Sequence, residues 1–282
     1  MRLIHTIAVL GGDARQRYLA GLLRESDFTV RTFAVPGLTN TAPSVQQAVQ
    51  NADAVCLPTP AVRSGSITGF ETLTPAQLLS CLDESTVLFG GGLGAFKTLL
   101  QKTNTPHYDF LQSTTLALEN AALTAEGALC LALQAMPEAL QDAFVLVTGF
   151  GRIGKSLARK LQLLGANVTL TTRRPDQFST IEQLSCTPDE TGVYRQPLSQ
   201  YACIFNTVPA PVFSAEQIRS LSGACVYIEL ASSPGGIAPD AKKPELYIPA
   251  LGLPGKTAPK TAAKLLFRAM LDSDFFSYQE AL

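Results

Sequence analysis

The chain has 282 residues, a length that suits two domains of ordinary size. Hydrophobic residues make up 46% of it and charged residues 16%, with a formal net charge of −1. Such a chain buries a large core and offers no electrostatic basis for binding nucleic acid or a membrane surface.

Taken in order, residues 4–10 form a continuous apolar run, as a strand buried on both faces should. The run is short and no Ala-x-Ala site follows. It therefore reads as a strand, not a signal peptide, and a cytoplasmic location is expected. Gly11, Gly12 and Asp13 make a turn, and residues 14–24 read as a helix. Further strands are predicted at 28–33, at 54–57 (stopped by Pro58-Thr59-Pro60), at 86–89 (followed by a glycine-rich run, 90–94) and at 108–111. A long helix spans 113–136 and ends at Pro137; it carries Glu119, Asn120 and Glu126 and is not expected to be a membrane span. A second alternating set follows, with strands at 144–148, 167–172, 202–206, 224–230 and 245–248. Residues 187–200 fit no element. After Pro259 a helix over 260–271 closes the chain and is expected to cross back to the first domain. The fold class is α/β: two Rossmann-like parallel-sheet domains joined by long helices. The expected boundaries are 1–115 for the first domain, completed by 259–282, then 116–137 for the connecting helix and 138–258 for the second domain.

The second domain opens on a dinucleotide fingerprint. The apolar strand 144–148 runs directly into Gly149-Phe150-Gly151-Arg152-Ile153-Gly154 and then into a helix ending at Gly165, with a second strand beyond. Gly149 permits the tight turn, Gly151 lets the backbone approach a pyrophosphate, and Gly154 allows close helix–strand packing. Arg152 and Ile153 open the helix whose N-terminus favours phosphate charge. The next strand ends in Thr171-Thr172-Arg173-Arg174, without the acidic residue that binds an NAD ribose. Two guanidinium groups there match a 2′-phosphate, so the expected cofactor is NADP. The loops at the carboxyl ends of later strands, Thr207-Val208-Pro209 and Ala231-Ser232, should border the same cofactor. The six cysteines contain no Cys-x-x-Cys pair, and Cys56, Cys203 and Cys225 sit in apolar strand-like runs. Buried, reduced thiols are expected, and with only two histidines no metal site is assigned.

In the first domain the same rule points to Gly12, Asp13, Arg15, Thr59 and the 90–94 run. That run reads equally as a flexible turn or as a close backbone approach. Asp13 also suits the N-cap of the first helix, and Arg15 suits a solvated position. Glu126 is either solvent-facing or buried among Leu123, Ala125, Ala128 and Leu129. Lys260 begins a helix, where the dipole disfavours a cation.

Five segments carry a resemblance. Ile-Ala-Val-Leu-Gly-Gly-Asp-Ala-Arg at 7–15, Leu-Thr-Ala-Glu-Gly-Ala at 123–128, the fingerprint at 149–154, Glu-Leu-Ala-Ser-Ser-Pro-Gly-Gly at 229–236 and Gly-Leu-Pro-Gly-Lys-Thr-Ala-Pro-Lys-Thr-Ala at 252–262 together resemble the family of dipicolinate synthase A subunits. The stretches 38–85 and 187–200 carry none of it. The resemblance implies NADP-dependent oxidation of a dihydrodipicolinate-type intermediate to pyridine-2,6-dicarboxylate, in sporulating bacteria, with a flavoprotein-like partner, the synthase's other polypeptide. A small dicarboxylate needs cations and N–H donors. Within the resembling motifs these are Arg15, Lys256 and Lys260, with Gly12, Thr59 and Gly255 beside them as substrate-binding candidates. Aromatisation needs a proton acceptor. Glu126, Asp13 and Lys260 are the catalytic candidates; Glu126 is favoured over Asp13, on the expectation that burial raises its pKa. Homo-oligomerisation is compatible with the sequence. The competing readings are another two-domain NADP-dependent oxidoreductase and a non-catalytic NADP-binding scaffold. A 2-hydroxyacid dehydrogenase is disfavoured, because no histidine follows His107.

Overall fold

The computed structural model describes residues 4–276. The elements in chain order are β1 (Thr6–Leu10), α1 (Ala14–Glu25), β2 (Thr29–Phe33), α2 (Val45–Val49), β3 (Ala54–Cys56), β4 (Val62–Arg63), β5 (Ser66–Ile67), α3 (Pro75–Leu79), β6 (Val87–Gly90), α4 (Ala95–Lys102), β7 (His107–Asp109) and α5 (Thr114–Ala135). There follow β8 (Phe144–Thr148), α6 (Arg152–Leu163), β9 (Asn167–Thr172), α7 (Phe178–Glu182), β10 (Thr187–Glu190), β11 (Cys203–Asn206), α8 (Ala215–Arg219), β12 (Val226–Glu229), β13 (Leu246–Pro249), α9 (Leu253–Thr257) and α10 (Pro259–Leu271). Residues 1–3 and the end of the expected closing segment, 277–282, lie outside the described residues.

The chain divides into two units, Met1–Glu119 with Ala258–Leu282, and Asn120–Thr257; the boundary at 119/120 falls inside α5. The first unit holds a five-stranded sheet in the order β2-β1-β3-β6-β7, every pair parallel. Ile7, Ala8, Val9 and Leu10 are fully buried, as a central parallel strand requires. Asp13 caps α1 by accepting from the Arg15 backbone N–H. Helix α10 starts with Pro259 in its first turn and packs along α1.

The second unit holds a six-stranded parallel sheet, β10-β9-β8-β11-β12-β13. Counted within the unit this is the order 3-2-1-4-5-6, the doubly wound arrangement whose ligand crevice lies at the carboxyl ends of the first strands. Helix α6 buries Gly154, Leu157, Ala158 and Leu161, one stripe at helical spacing. By length and composition α5 would suffice to cross a membrane, yet its Ala125, Ala128 and Ala132 are fully buried in this unit's core. Cys56, Cys203 and Cys225 are buried and unbridged.

Some expectations need correction. Residues 187–200 contain β10, an edge strand; Pro188 is tolerated there and the buried Asp189 accepts from the Glu190 and Arg195 backbone N–H groups. The strand expected at 108–111 stops at Asp109, because its carboxylate accepts from the N–H groups of Gly92 and Leu111 and turns the chain. Of the two readings of 90–94, close backbone approach holds: a Cβ on Gly91 would overlap the Thr59 side chain. The stretch 252–256 is not a loop, since most of it forms α9.

Candidate functional site

The fingerprint turn is built by three glycines with different reasons. Gly149 has φ 93° and a Cβ there would lie 2.7 Å from Thr207 Oγ1 and 2.9 Å from Val208 Cγ2. A Cβ on Gly154 would overlap the carbonyl oxygen of Gly149, so the first turn of α6 can sit against β8 only without a side chain. At Gly151 a Cβ would meet nothing within 4 Å. The protein itself does not require glycine at that position; a ligand approaching the backbone does. Gly151 is also the N-cap of α6, where no side chain caps the helix and no acidic residue occupies the first turn. Unpaired N–H groups and the positive end of the helix dipole thus face the space that Gly151 leaves open. These residues fit the diphosphate of a dinucleotide.

The turn continues into a groove lined by Gly149, Phe150, Gly151, Thr172, Arg173, Arg174, Gln177, Thr191, Thr207, Val208 and Pro209. Eight residues named from the sequence thereby come together, and no carboxylate lies among the lining residues. At the end of β9 the place of an acidic residue is taken by Thr172, whose Oγ1 donates to Gln177 Oε1 at 2.7 Å and accepts from the Arg174 N–H at 3.1 Å. Thr171 Oγ1 meets Thr191 Oγ1 at 2.7 Å and accepts from the Gly149 N–H at 3.3 Å, tying the glycine turn to the end of β9. Arg174 pairs with Asp176 at 2.7 Å. Arg173 is exposed and makes no ion pair among the described residues.

A buried polar bridge crosses the carboxyl ends of β8, β11 and β12. Thr148 Oγ1 donates to Asn206 Oδ1, and Asn206 Nδ2 donates to Glu229 Oε1 at 2.6 Å. Glu229 also accepts from the N–H groups of Ala231 at 3.1 Å and Gly236 at 2.8 Å. Asn206 further binds both the N–H and the carbonyl of Val208. Ala231 is buried and Ser232 exposed. Sequence reasoning misses Glu229, Asn206, Gln177 and Thr191. An acid closing an otherwise apolar strand, Val-Tyr-Ile-Glu, is the visible signal for Glu229.

In the first unit the structure brings Asp13, Arg15 and Thr59 together. Arg15 donates through Nε and Nη2 to both oxygens of Asp13, and through Nη2 to the Thr59 carbonyl at 2.6 Å. The Arg15 side chain is nearly buried and that of Asp13 is 44% exposed. Burial alone pushes the Asp13 carboxyl up, but the hydrogen bonds and charge of Arg15 outweigh it and hold the group below the usual carboxylate range. Thr59 Oγ1 is buried and has no hydrogen-bond partner among the described residues. Gly12 has φ 87° and its N–H donates to the Thr68 carbonyl at 3.2 Å.

The remaining candidates are placed differently. Glu126 is exposed and pairs with Lys160 at 3.0 Å, so the expected burial and its consequence for the pKa do not hold. At 100° per residue, apolar neighbours along the sequence turn to the core while Glu126 turns outward. Its neighbour Gly127 is the tightly constrained residue: a Cβ there would lie 2.8 Å from Thr257 Oγ1 and 3.0 Å from Leu253 Cβ, so α9 packs on α5 where the side chain is missing. Gly255 is buried within α9, and Lys256 beside it is exposed. Lys260 is exposed in the first turn of α10, and neither lysine makes an ion pair among the described residues.

Known proteins share this sequence and fold. The family model for the N-terminal domain of the dipicolinate synthase A subunit matches residues 6–111. The corresponding dipicolinate synthase polypeptide of Bacillus subtilis (strain 168) is 28% identical over 276 residues, 92% of each chain. The crystal structure of the dipicolinate synthase A subunit from Bacillus halodurans superposes with a TM-score of 0.83 at 28% identity, covering 95% of this chain and 97% of that one. The crystal structure of its Bacillus subtilis counterpart superposes with a TM-score of 0.77 at 25% identity, covering 96% and 95%. With sequence and fold in agreement along nearly its whole length, the chain belongs to the family of dipicolinate synthase A subunits.

Proposed function

We propose that the chain is an NADP-dependent oxidoreductase, the A subunit of a dipicolinate synthase, which oxidises a dihydrodipicolinate-type intermediate to pyridine-2,6-dicarboxylate. The observation that carries the cofactor reading is the pairing of an open Gly151 with a groove holding two arginines and no carboxylate. When bound, NADP supplies the acceptor for the hydride lost by the ring. The chain's own residues bind and orient. The α6 N-terminus takes the diphosphate, and Arg173 and Arg174 take the 2′-phosphate with fork geometry. Gly12, Arg15 and Thr59 receive a substrate carboxylate, with Asp13 holding the Arg15 guanidinium in place. Aromatisation releases one hydride to the cofactor and one proton.

The substrate, and a partner polypeptide of flavoprotein type, are assigned from family membership. The test supplies the condensation product of aspartate semialdehyde and pyruvate with NADP and follows absorbance of the reduced cofactor, with and without the partner. Reduction of NADP in either arm supports the reading. Cofactor binding with no reduction in both arms would leave a scaffold in its place.

A further inference from the structure

We propose that Glu229 is a positioning residue: its buried carboxylate fixes the loop 231–236 and, through Asn206, the loop after β11, and so sets where the nicotinamide end of the cofactor lies. The inference rests on the dinucleotide reading of the second unit.

Glu229 is the last residue of β12 and 5% exposed, and no lysine, arginine or histidine pairs with it among the described residues. A carboxylate in such a place is costly unless its oxygens are satisfied. Here three donors do so, the Asn206 amide and the N–H groups of Ala231 and Gly236. The loop is shaped to reach it. Gly235 has φ 81° and a Cβ there would lie 2.9 Å from Glu229 Oε2, while a Cβ on Gly236 would overlap the Asn206 amide. For stability alone, well-packed apolar side chains serve as well as a buried charge or better. What a bridge of this kind adds is a fixed geometry for the loops it ties.

Those loops lie where the second half of a dinucleotide must run. The diphosphate site is at the end of β8, and the residues that read the adenosine ribose are at the end of β9. The nicotinamide half therefore extends the other way, over β11 and β12. Glu229 and Asn206 do not line the groove beside Gly149 and Arg173, so they act through the backbone they hold.

The full-length Glu229→Gln variant tests this. Gln keeps the volume but turns one acceptor into a donor facing N–H groups. Reduced NADP is titrated against wild type and variant, and the emission of the bound nicotinamide is recorded beside turnover and the melting midpoint. The expected result is a dissociation constant within about threefold of wild type, bound-cofactor emission altered toward that of free cofactor, and kcat lower by at least about tenfold. Unchanged emission and turnover would overturn the inference alone. Affinity, turnover and melting midpoint falling together would make Glu229 merely structural and overturn it as well. A wild type that binds no reduced NADP would overturn the dinucleotide reading, and the inference with it. If the Gln variant does not fold, Asn206→Ser, which leaves the carboxylate its two backbone donors, should show the same split between affinity and emission; its absence there counts against the proposal.

Discussion

Gly154 sits so close beneath Gly149 that a single added carbon would overlap the Gly149 carbonyl oxygen, although the two glycines belong to one turn with Gly151, which has no protein atom near it. The two positions should therefore fail differently. Gly154→Ala must push α6 away from β8, at a cost of about 1–3 kcal/mol in urea unfolding. Gly151→Ala should lose only about 1 kcal/mol, for a poorer N-cap. Its cofactor affinity, measured by titration, should nevertheless fall by at least about tenfold, because the new methyl occupies the diphosphate space.

Replacing Arg173 and Arg174 together by Ala should weaken NADP binding by about 10–100-fold, the scale of a charge-assisted hydrogen-bond pair, and change NAD binding by no more than about threefold. Calorimetric titration with both cofactors reads the ratio. An equal loss for both, or a wild-type preference for NAD, would remove the case for NADP.

Asp13 links pH to stability. Its folded-state pKa is held below the ordinary value of 3.8, so the carboxylate binds protons less readily folded than unfolded. The resulting stabilisation is fully present above about pH 4 and is lost as pH falls through the folded-state value. Asp13→Asn keeps a capping side chain but removes this linkage. The stability difference between wild type and Asp13→Asn, from urea unfolding at stepped pH, should shrink below about pH 4 and stay constant above about pH 5. A difference that grew on acidification would contradict the Arg15 pairing.

Glu126→Gln should leave NADP-linked turnover unchanged and alter stability by less than about 0.5 kcal/mol, since its partner Lys160 lies at the surface. Turnover lost with cofactor affinity kept would return Glu126 to a chemical role.

The β8–α6–β9 unit is legible in the sequence to within one residue at each end, because a buried strand, three glycines and an amphipathic helix agree with one another. The polar edge is not. β10 reads Thr-Pro-Asp-Glu, and nothing in that tetrapeptide signals a strand until β9 supplies the pairing. Glu126 misleads because its apolar neighbours in sequence are not its neighbours in space. The cluster of Asp13, Arg15 and Thr59 is half legible: loops at strand ends name the residues, but the bond from Arg15 to the Thr59 carbonyl spans 44 positions. The bridge through Asn206 and Glu229 joins strands 23 residues apart and leaves only one trace in the sequence, an acid where an apolar residue is due.

The return of α10 to the first unit also orders the birth of the molecule. Leu19 and Leu23 of α1, made early, are covered in a unit to which Leu265, Leu266 and Met270 are added only at the close of synthesis. Asn120–Thr257, by contrast, is one uninterrupted stretch. On the ribosome the usual order of N-terminal folding first is therefore inverted: the cofactor unit can finish while the earlier-made sheet still waits for its last helix. A fragment ending near residue 257 should accordingly keep a folded second unit and present an open, aggregation-prone first one.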